Sequence, residues 1–339
     1  MLLNKKNIFV IAEIGHNHMG SIKEAFKLIE AAKKSGADAV KLQKRDNKSL
    51  YTKAFYDSPY ENPNSYGKTY GEHRDFLEFG KKEYSKLIKF SKKIGINLFA
   101  TPFDFKSIKF LKKLNMPLYK IASADLTNTP LQIEIAKTGK PVILSTGGGT
   151  FKDIDRAVQN IKKFNNKIAV LHCTASYPAE ITDMNLSIIS KLKKKYKNIT
   201  IGLSDHENGI DAGVVAYMLG ARVFEKHFTL NRANKGTDHS FSLEPQGLEK
   251  FIRNLKRVEL LMGNDEKRLL KSEKKPLYKM KKSIVASKNL IAGSKITYKD
   301  LDFKSPGGGL EPFEFKRLIG KKLRKNIKKE QPFLLKNVK

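Results

Sequence analysis

IGLSDHENG (residues 201–209) and ARVFEKHFTL (residues 221–230) are the two stretches that decide the fold. They carry two short apolar runs, at residues 199–203 and 222–225, which a helix-length apolar segment joins. Apolar runs of this length are typical of buried β-strands. The region therefore predicts a strand–helix–strand unit of the kind that builds parallel α/β folds.

Both predicted strands end in polar residues. Ser204, Asp205 and His206 follow the first strand, and Lys226 and His227 follow the second. Ligands bind at the carboxyl ends of parallel strands, and in α/β barrels that face carries the chemistry. Two imidazoles on neighbouring strand ends would suit one divalent metal ion, although a single histidine is more often structural.

The bulk composition limits the class of protein. The chain has 339 residues with 40% hydrophobic content, which is enough for one large domain and one small one. It contains no apolar run of membrane-spanning length and no signal-peptide pattern. Its single cysteine, Cys173, cannot form an internal disulfide, so we expect a reducing, cytoplasmic environment and no membrane association.

The formal net charge of +32 raises the question of nucleic-acid binding. Only ten of the 66 basic residues are arginine, and the lysines are spread over predicted helix faces and the tail. No RNA-binding aromatic signature, helix-turn-helix pattern or zinc-finger spacing accompanies them. We therefore expect a solvated lysine-rich surface and no nucleic-acid partner.

The strand–helix alternation extends through the first 260 residues or so. Six further apolar runs read as strands, at residues 8–14, 39–42, 97–100, 118–122, 141–144 and 168–172. Eight such units predict a (β/α)8 TIM barrel. A doubly wound sheet is the alternative, but LSTGGG at residues 144–149 lacks the lysine of a nucleotide-binding loop. The polar segment 45–79 is too long for a simple turn and is predicted to cover the substrate.

The composition changes after the barrel. We predict a barrel domain at residues 1–266, a charged linker at residues 267–282 and a small domain at residues 283–339. The last domain contains short β-like runs and the turn signals AGSK and SPGGG, so it is predicted to be β-rich.

The strand ends together offer a large set of polar side chains. They are Glu13, Lys41, Gln43, Thr101, Lys120, Ser123, Ser145, His172, Tyr177, Ser204, His206, Lys226, His227 and Asp238. Lysines and hydroxyls that converge on one barrel mouth suit a small, multiply charged anion such as a phosphate ester with a carboxylate. A lysine stem lying over the barrel rim is the simpler explanation for any one of them.

The predicted metal site has only two protein ligands, His206 and His227. An octahedral ion such as Mn²⁺ fits two ligands and open positions better than tetrahedral Zn²⁺ does. Mg²⁺ and Co²⁺ are alternatives. Such an ion would polarise an aldehyde, and Glu13 is the available group for proton transfer.

The chain resembles the sialic acid synthase family along nearly its whole length. The motifs that carry the resemblance are IAEIGHNHMG, VKLQ, ATPFD, YKIAS, LSTGG, LHCTASYP, IGLSDH, EKHFTL and GTDHS, in that order. The tail, with KKSIVASKNLIAGSKIT and RLIGKKLRKNIKKEQPF, resembles the family's C-terminal antifreeze-like (SAF) domain. The resemblance implies an enzyme that condenses phosphoenolpyruvate with an N-acetylated amino sugar, such as N-acetylmannosamine, and releases phosphate and a nine-carbon 2-keto acid.

The resemblance also implies roles for individual residues. Phosphoenolpyruvate would contact Lys41, Thr101, Lys120, Ser123, Ser145 and Ser204. The sugar would contact Gln43, Asp125, Tyr177 and Asp238, and the metal would be bound by His206 and His227. Glu13 would be the catalytic acid or base. The family further implies a domain-exchanged homodimer, in which the tail domain completes a neighbour's active site.

Three positions depart from the neuraminate synthase pattern. Asp125 replaces a glutamate, Ala175 replaces an asparagine, and Ser305 stands where an arginine precedes Pro-Gly. All three lie on the sugar side, so we expect that the condensation is retained and that the acceptor is not plain N-acetylmannosamine. A diacetamido trideoxyhexose, as in legionaminate or pseudaminate synthases, is one alternative.

Two other functions stay open on the sequence. One is a phosphoenolpyruvate-dependent synthase that acts on a phosphorylated sugar, as in 3-deoxy-octulosonate phosphate synthesis, although those relatives lack the tail domain. The other is a non-catalytic carbohydrate-binding protein built around the antifreeze-like tail. The complete set of Glu13, Lys120, His206 and His227 favours an enzyme.

Overall fold

A closed barrel of eight parallel strands forms the centre of the first unit of the chain. The computed structural model describes residues 7–339, and the barrel strands found there follow one another in chain order. They are β1 (Phe9–Gly15), β2 (Ala39–Lys44), β3 (Asn97–Pro102), β4 (Tyr119–Ile121), β5 (Val142–Ser145), β6 (Ile168–Cys173), β7 (Thr200–Asp205) and β8 (Val223–His227). The last strand, β8, pairs with β1 and closes the barrel. The predicted TIM barrel is confirmed, and the doubly wound alternative is wrong.

Helices connect the strands on the outside of the barrel. They are α1 (Ile22–Lys34), α2 (Asn47–Leu50), α3 (Lys53–Tyr56), α4 (Tyr70–Phe76), α5 (Lys81–Ile94), α6 (Phe105–Lys113), α7 (Thr129–Ala136), α8 (Phe151–Lys162), α9 (Ile188–Lys195), α10 (Asp211–Met218) and α11 (Pro245–Met262). Within residues 7–339, no helix combines the length and the apolar character that crossing a bilayer requires.

The barrel has two apolar layers, one inside the strands and one between the strands and the helices. Strand side chains alternate between the two faces, and the inner layer takes every second position. It consists of Phe9, Ile11, Ala39, Phe99, Leu118, Ile143, Ala169, Leu171 and Val223. Gly202 belongs to the same layer, because it pairs with the inner residues Leu171 and Val223 of the neighbouring strands, and a Cβ at this position would lie 2.4 Å from Cδ2 of Leu171. Counting in steps of two from these inner residues therefore tells which residues at the carboxyl end of each strand also point into the barrel.

The long polar segment 45–79 contains the three short helices α2, α3 and α4. Aromatic rings pack against one another along it: Tyr70 contacts Tyr51, Phe55 and Tyr60, and Tyr66 stacks on Phe76 with ring centroids 4.8 Å apart. The segment is thus ordered by its own side chains, as compact functional loops are.

The second unit begins earlier than the composition suggests. The chain divides into two compact units, Met1–Gly263 and Asn264–Lys339. The segment that we expected to be a linker contains the helix α12 (Lys274–Met280). Beyond it, β9 (Ser283–Ala286) pairs antiparallel with β10 (Leu301–Lys304). The core of this unit contains Ile284, Ala286, Leu290, Ile296, Leu301, Leu318, Leu323, Ile327, Phe333 and Val338.

Candidate active site

A cavity of about 720 Å³ opens at the carboxyl ends of the barrel strands. Most of the predicted site residues line it together. They are Glu13, Lys41, Gln43, Thr101, Lys120, Ser123, Ser145, Tyr177, Ser204, His206, His227 and Asp238. Their meeting follows from the barrel, because all eight strands direct their carboxyl ends to the same face.

The alternation of side chains along each strand explains which strand residues face the cavity. In β8, Val223 belongs to the inner apolar layer, so Glu225 and His227 point inward as well. In β1, Glu13 follows the inward residue Ile11 in the same way. The site is therefore the continuation of the barrel's inner layer into polar residues.

A buried carboxylate, Glu225, lies between the two predicted phosphoenolpyruvate-binding lysines. Its Oε1 atom is 3.2 Å from Nζ of Lys120 and 3.5 Å from Nζ of Lys41. The hydroxyl of Ser204 donates to the same oxygen at 3.2 Å. Lys41 also contacts Oε1 of Glu13 at 3.1 Å and donates to the Thr101 hydroxyl at 3.1 Å.

The close packing of these charges shifts their pKa values. Burial alone would raise the pKa of Glu225, but the positive charges of Lys120 and Lys41 outweigh it and bring the pKa to about 2. Burial would lower the pKa of Lys41, but Glu13 and Glu225 outweigh it, and the pKa is raised. For Lys120 burial prevails, helped by the charge of Lys41, and the pKa is lowered. Glu225 is hence a fixed negative charge and a weak base.

The serine hydroxyls of the cavity are placed to donate hydrogen bonds to an anion. The Ser145 hydroxyl is buried and has no hydrogen-bond partner among the described residues. The Ser123 hydroxyl accepts from the backbone N–H of Gly147 at 3.0 Å. A Cβ at Gly147 would lie 2.9 Å from that hydroxyl and 2.8 Å from the Cβ of Ala175. Glycine is therefore required where this loop approaches Ser123.

Three predicted residues converge around Gly15, where φ is +52°. A Cβ at this glycine would be 3.2 Å from Gln43 Nε2, 3.2 Å from Glu13 Oε1 and 3.5 Å from Asp238 Oδ2. Gln43 donates to Glu13 Oε1 at 2.8 Å, and the other carboxylate oxygen, Oε2, is buried without a partner. An unpaired buried carboxylate oxygen that lines a cavity is available to a substrate proton.

The two predicted metal ligands lie next to each other, with His206 and His227 ring centroids 5.3 Å apart. Nδ1 of His206 donates to the Thr174 carbonyl at 2.8 Å, which leaves Nε2 with a free lone pair. Burial and the neighbouring His227 lower the pKa of His206 to about 3, so the ring is neutral. Nδ1 of His227 is buried without a hydrogen bond and lies 3.6 Å from Asp238 Oδ2.

These imidazoles fit a metal ion that takes most of its ligands from water or substrate. The His206 ring is neutral with a free lone pair at Nε2, and Nδ1 of His227 has no hydrogen bond; metal ligation requires such a free nitrogen. Within residues 7–339, no cluster of three or more histidine, cysteine or acidic side chains is close enough to hold an ion by itself. The ring of Tyr177 lies over His206, with centroids 4.2 Å apart.

Several residues expected at the site lie elsewhere. Asp125 is buried outside the cavity, and its carboxylate accepts from the side-chain amide of Asn128 at 2.9 Å. His172 and Lys226 occupy the outward-facing positions of their strands: His172 Nε2 bonds to the Met184 carbonyl at 2.6 Å, and Lys226 pairs with Asp205 at 2.8 Å. We therefore leave Asp125 out of the sugar-contacting set.

The sequence interpretation missed three charged residues that line the cavity, namely Glu225, Arg45 and Arg74. Glu225 was detectable, because it lies two positions before His227 in a strand and must share its face. Arg45 was detectable in the same way, because it lies two positions after Gln43, which also lines the cavity. No local pattern identifies Arg74, which α4 brings to the cavity from the middle of the long segment.

Comparison with known proteins places these features in context. The NeuB family model matches residues 28–267, and the SAF domain model matches residues 281–339. The chain is 37% identical to the N-acetylneuraminate-9-phosphate synthase of Drosophila melanogaster, over 97% of this chain and 95% of that protein. It is 36% identical to the N,N'-diacetyllegionaminic acid synthase of Campylobacter jejuni, over 96% of this chain and 98% of that protein. Among solved structures, the chain is similar to the N-acetylneuraminic acid synthetase of Leptospira borgpetersenii, which was solved in complex with citrate. The two are 34% identical and superpose with a TM-score of 0.70, and the match covers 81% of this chain and 91% of that one.

Proposed function

Because the chain belongs to the NeuB family of sialic acid synthases, we infer that it condenses phosphoenolpyruvate with an N-acetylated amino sugar. The products are a nine-carbon 2-keto sugar acid and inorganic phosphate. One observation supports this most strongly: two lysines, a row of hydroxyls, a free carboxylate oxygen and two adjacent imidazoles line a single cavity.

We propose that the anionic groups of phosphoenolpyruvate bind Lys41 and Lys120. The hydroxyls of Thr101, Ser123, Ser145 and Ser204 line the same cavity and complete this site. Charge-assisted hydrogen bonds of this kind are stronger than neutral ones. Glu225 already holds both ammonium groups in place, so the site is pre-organised before substrate arrives.

The reaction requires one carbon–carbon bond to form and one carbon–oxygen bond to break. C3 of phosphoenolpyruvate attacks the aldehyde carbon of the open-chain sugar, and the aldehyde oxygen takes up a proton. Glu13, oriented by Gln43 and Lys41, is the group that we propose to move this proton. Water then adds at C2, and phosphate leaves with the bridging oxygen.

Sialic acid synthases are generally metal-dependent enzymes, and we propose His206 and His227 as the ligands here. A divalent ion held there, for which we propose Mn²⁺ with Mg²⁺ and Co²⁺ as alternatives, supplies Lewis acidity toward the acceptor's aldehyde. Gln43, Tyr177 and Asp238 would contact the sugar.

Two kinds of acceptor sugar are candidates: N-acetylmannosamine or a modified form of it, and a diacetamido trideoxyhexose. The departures at Ala175 and Ser305 support an acceptor other than plain N-acetylmannosamine: Ala175 lines the cavity without a polar group, and the Ser305 hydroxyl accepts from Lys282 at 2.7 Å within its own unit. A diacetamido trideoxyhexose is the second candidate, because the chain is 36% identical to a diacetyllegionaminic acid synthase. A cytoplasmic location is supported by the buried free thiol of Cys173.

The function is tested by phosphate release from phosphoenolpyruvate with Mn²⁺ and a panel of acceptors. The panel comprises N-acetylmannosamine, N-acetylglucosamine, the diacetamido trideoxyhexoses and arabinose 5-phosphate. We expect acceptor-dependent release that His206→Asn lowers by more than roughly 100-fold. His172→Asn, a buried histidine outside the cavity, is the matched control. Release that no amino sugar stimulates would refute the proposal.

A further inference from the structure

A buried ion pair lies on the outer face of the barrel, behind the two proposed metal ligands. Asp205 is the last residue of β7, and Lys226 is the last but one of β8. Lys226 Nζ is 2.8 Å from Asp205 Oδ2, and both side chains are 1% exposed. Neither residue lines the cavity, so the pair does not contact a substrate bound there.

Each member of the pair immediately precedes one of the two imidazoles in the chain. His206 follows Asp205, and His227 follows Lys226. The parallel ladder between β7 and β8 ends where Asp205 pairs with Lys226. The ion pair is therefore the last link in that ladder before the chain reaches His206.

The pair also holds the residue on the other side of His206. The ammonium group of Lys226 donates to the carbonyl oxygen of Glu207, and Asp205 Oδ1 accepts from the backbone N–H of Glu207 at 2.9 Å. Both chain neighbours of His206 are thus tied to β8 through one buried ammonium group.

The two imidazoles differ in how they are held. His206 Nδ1 donates to the Thr174 carbonyl at 2.8 Å, whereas His227 Nδ1 has no hydrogen bond among the described residues. Within residues 7–339, no cluster of three histidine, cysteine or acidic side chains could hold an ion. The protein's contribution to metal binding therefore depends on the spacing of these two rings.

Stability alone is a weak reason to bury such a pair. The cost of taking two charges out of water offsets much of their attraction, and apolar residues of similar volume often serve a fold as well. Groups that lie behind metal ligands, in contrast, orient those ligands, and their loss lowers metal affinity.

We propose that Asp205 and Lys226 are positioning residues that set the spacing of His206 and His227, and thereby the affinity of the site for a divalent ion. The inference rests on the metal site of the proposed function and adds two residues to it. The hydrogen-bonded ion pair joins the two strand ends at a defined length, which a contact between apolar side chains does not.

The test is a titration of the metal-free, full-length protein with Mn²⁺, in which electron paramagnetic resonance measures the free ion. Asp205→Asn combined with Lys226→Met removes both charges and the link, with little change in side-chain volume. We expect this variant to raise the Kd for Mn²⁺ by roughly 10- to 100-fold.

A second variant changes the length of the link and keeps both charges. Asp205→Glu adds one methylene group and leaves no buried charge unpaired, so it tests the spacing even if the double variant does not fold. We expect a Kd for Mn²⁺ about 10-fold higher, at the lower end of the range for groups behind metal ligands.

Asp104→Asn is the control for loss of a buried carboxylate at the same end of the barrel. Asp104 is 7% exposed, follows β3 and accepts from the backbone N–H of Asp46 at 2.8 Å. Because β3 is not adjacent to β7 or β8, this substitution should lower the melting temperature and leave the Kd for Mn²⁺ within about twofold.

Unchanged Mn²⁺ affinity in either folded variant would overturn the inference, as would an equal loss of affinity in Asp104→Asn. His206→Asn shows whether the metal site itself is correct. If it weakens Mn²⁺ binding, the site stands whatever the pair does. If it does not, or if the unmodified protein binds no Mn²⁺, the metal site and the inference fail together. The proposed synthase activity fails separately, when no amino sugar stimulates phosphate release.

Discussion

At the scale of single residues, the candidate site depends on how buried charges compensate one another. Glu225 lies within 3.5 Å of two lysine ammonium groups and is 4% exposed. Its second oxygen, Oε2, has no hydrogen-bond partner among the described residues. Lys41 has a second carboxylate in Glu13, whereas Glu225 is the carboxylate that Lys120 contacts. Loss of this one group leaves a buried ammonium uncompensated.

We expect Glu225→Gln to destabilise the fold, because removal of one partner of a buried ion pair leaves the other charged and desolvated. The free energy of unfolding, measured in denaturant, should fall by about 3 kcal/mol. Phosphoenolpyruvate should raise the melting temperature of this variant more than that of the unmodified protein, since its anionic groups replace the missing charge. Glu266→Gln, at an exposed carboxylate, is the control. An unchanged stability would show that Lys120 does not need this partner.

The sequence predicted single residues well where the alternation of a strand determines which way they face. Lys41, Thr101, Lys120 and Ser145 lie on the inward face and reach the cavity. His172 also stands at a strand end, but the alternation of β6 turns its side chain outward, where it bonds to the Met184 carbonyl. Asp125 ends a short 3-10 helix (Ser123–Asp125), where strand alternation does not apply and the local hydrogen bond from Asn128 sets the direction of the side chain.

At the scale of elements, α4 and the segment around it form the side of the cavity that the sequence describes least. The long polar segment was expected to cover the substrate, but its short helices and aromatic contacts have no periodic pattern. Its position is set by tertiary contacts such as the bond from the backbone N–H of Asp46 to the Asp104 carboxylate at 2.8 Å. Such contacts join residues far apart in sequence and cannot be read locally.

The stability of this segment should depend on pH through His73. Its Nδ1 accepts from the backbone N–H of Tyr66 at 3.1 Å, and a proton there would replace an acceptor by a donor. Burial and the charge of Arg74 lower the pKa of His73 to about 4, from 6.5 in the unfolded chain. The unfolded form binds more protons between these values, so the segment's stability is complete above pH 6.5 and is lost as the pH falls toward 4.

Hydrogen exchange, corrected for intrinsic rates, measures this dependence directly. Protection in residues 58–76 should decrease between pH 7 and pH 5, while α5 keeps its protection. His73→Phe should reduce the dependence, because the titrating group is gone. A profile that is the same for His73→Phe and the unmodified protein would assign the effect to another group.

At the scale of the whole molecule, the two compact units were predicted from changes in composition. The barrel was detectable from its eight apolar runs, since each strand is short, buried and followed by a helix. The helix α12 was not detectable from the sequence, because its seven residues include three lysines and a proline and so resemble a charged linker. The second unit exposes large apolar side chains, including Phe313 at 77% and Met280 at 63%.

We expect the protein to be a homodimer in solution. Exposed apolar side chains of this size are typical of surfaces that another chain covers, and the family resemblance implies exchange of the tail domain. Light scattering after size-exclusion chromatography should give twice the 38.4 kDa of one chain. A fully active monomer would contradict the expectation.

The most direct test of the central claim follows the bridging oxygen of phosphoenolpyruvate. The protein is incubated with Mn²⁺, the preferred acceptor and phosphoenolpyruvate that carries ¹⁸O between C2 and phosphorus, and the released phosphate is analysed by mass spectrometry. Condensation through water addition at C2 predicts that the label leaves with inorganic phosphate and that a nine-carbon keto acid forms with it. Unlabelled phosphate together with pyruvate would mean that the phosphorus–oxygen bond is cleaved, and that the chain is not a synthase.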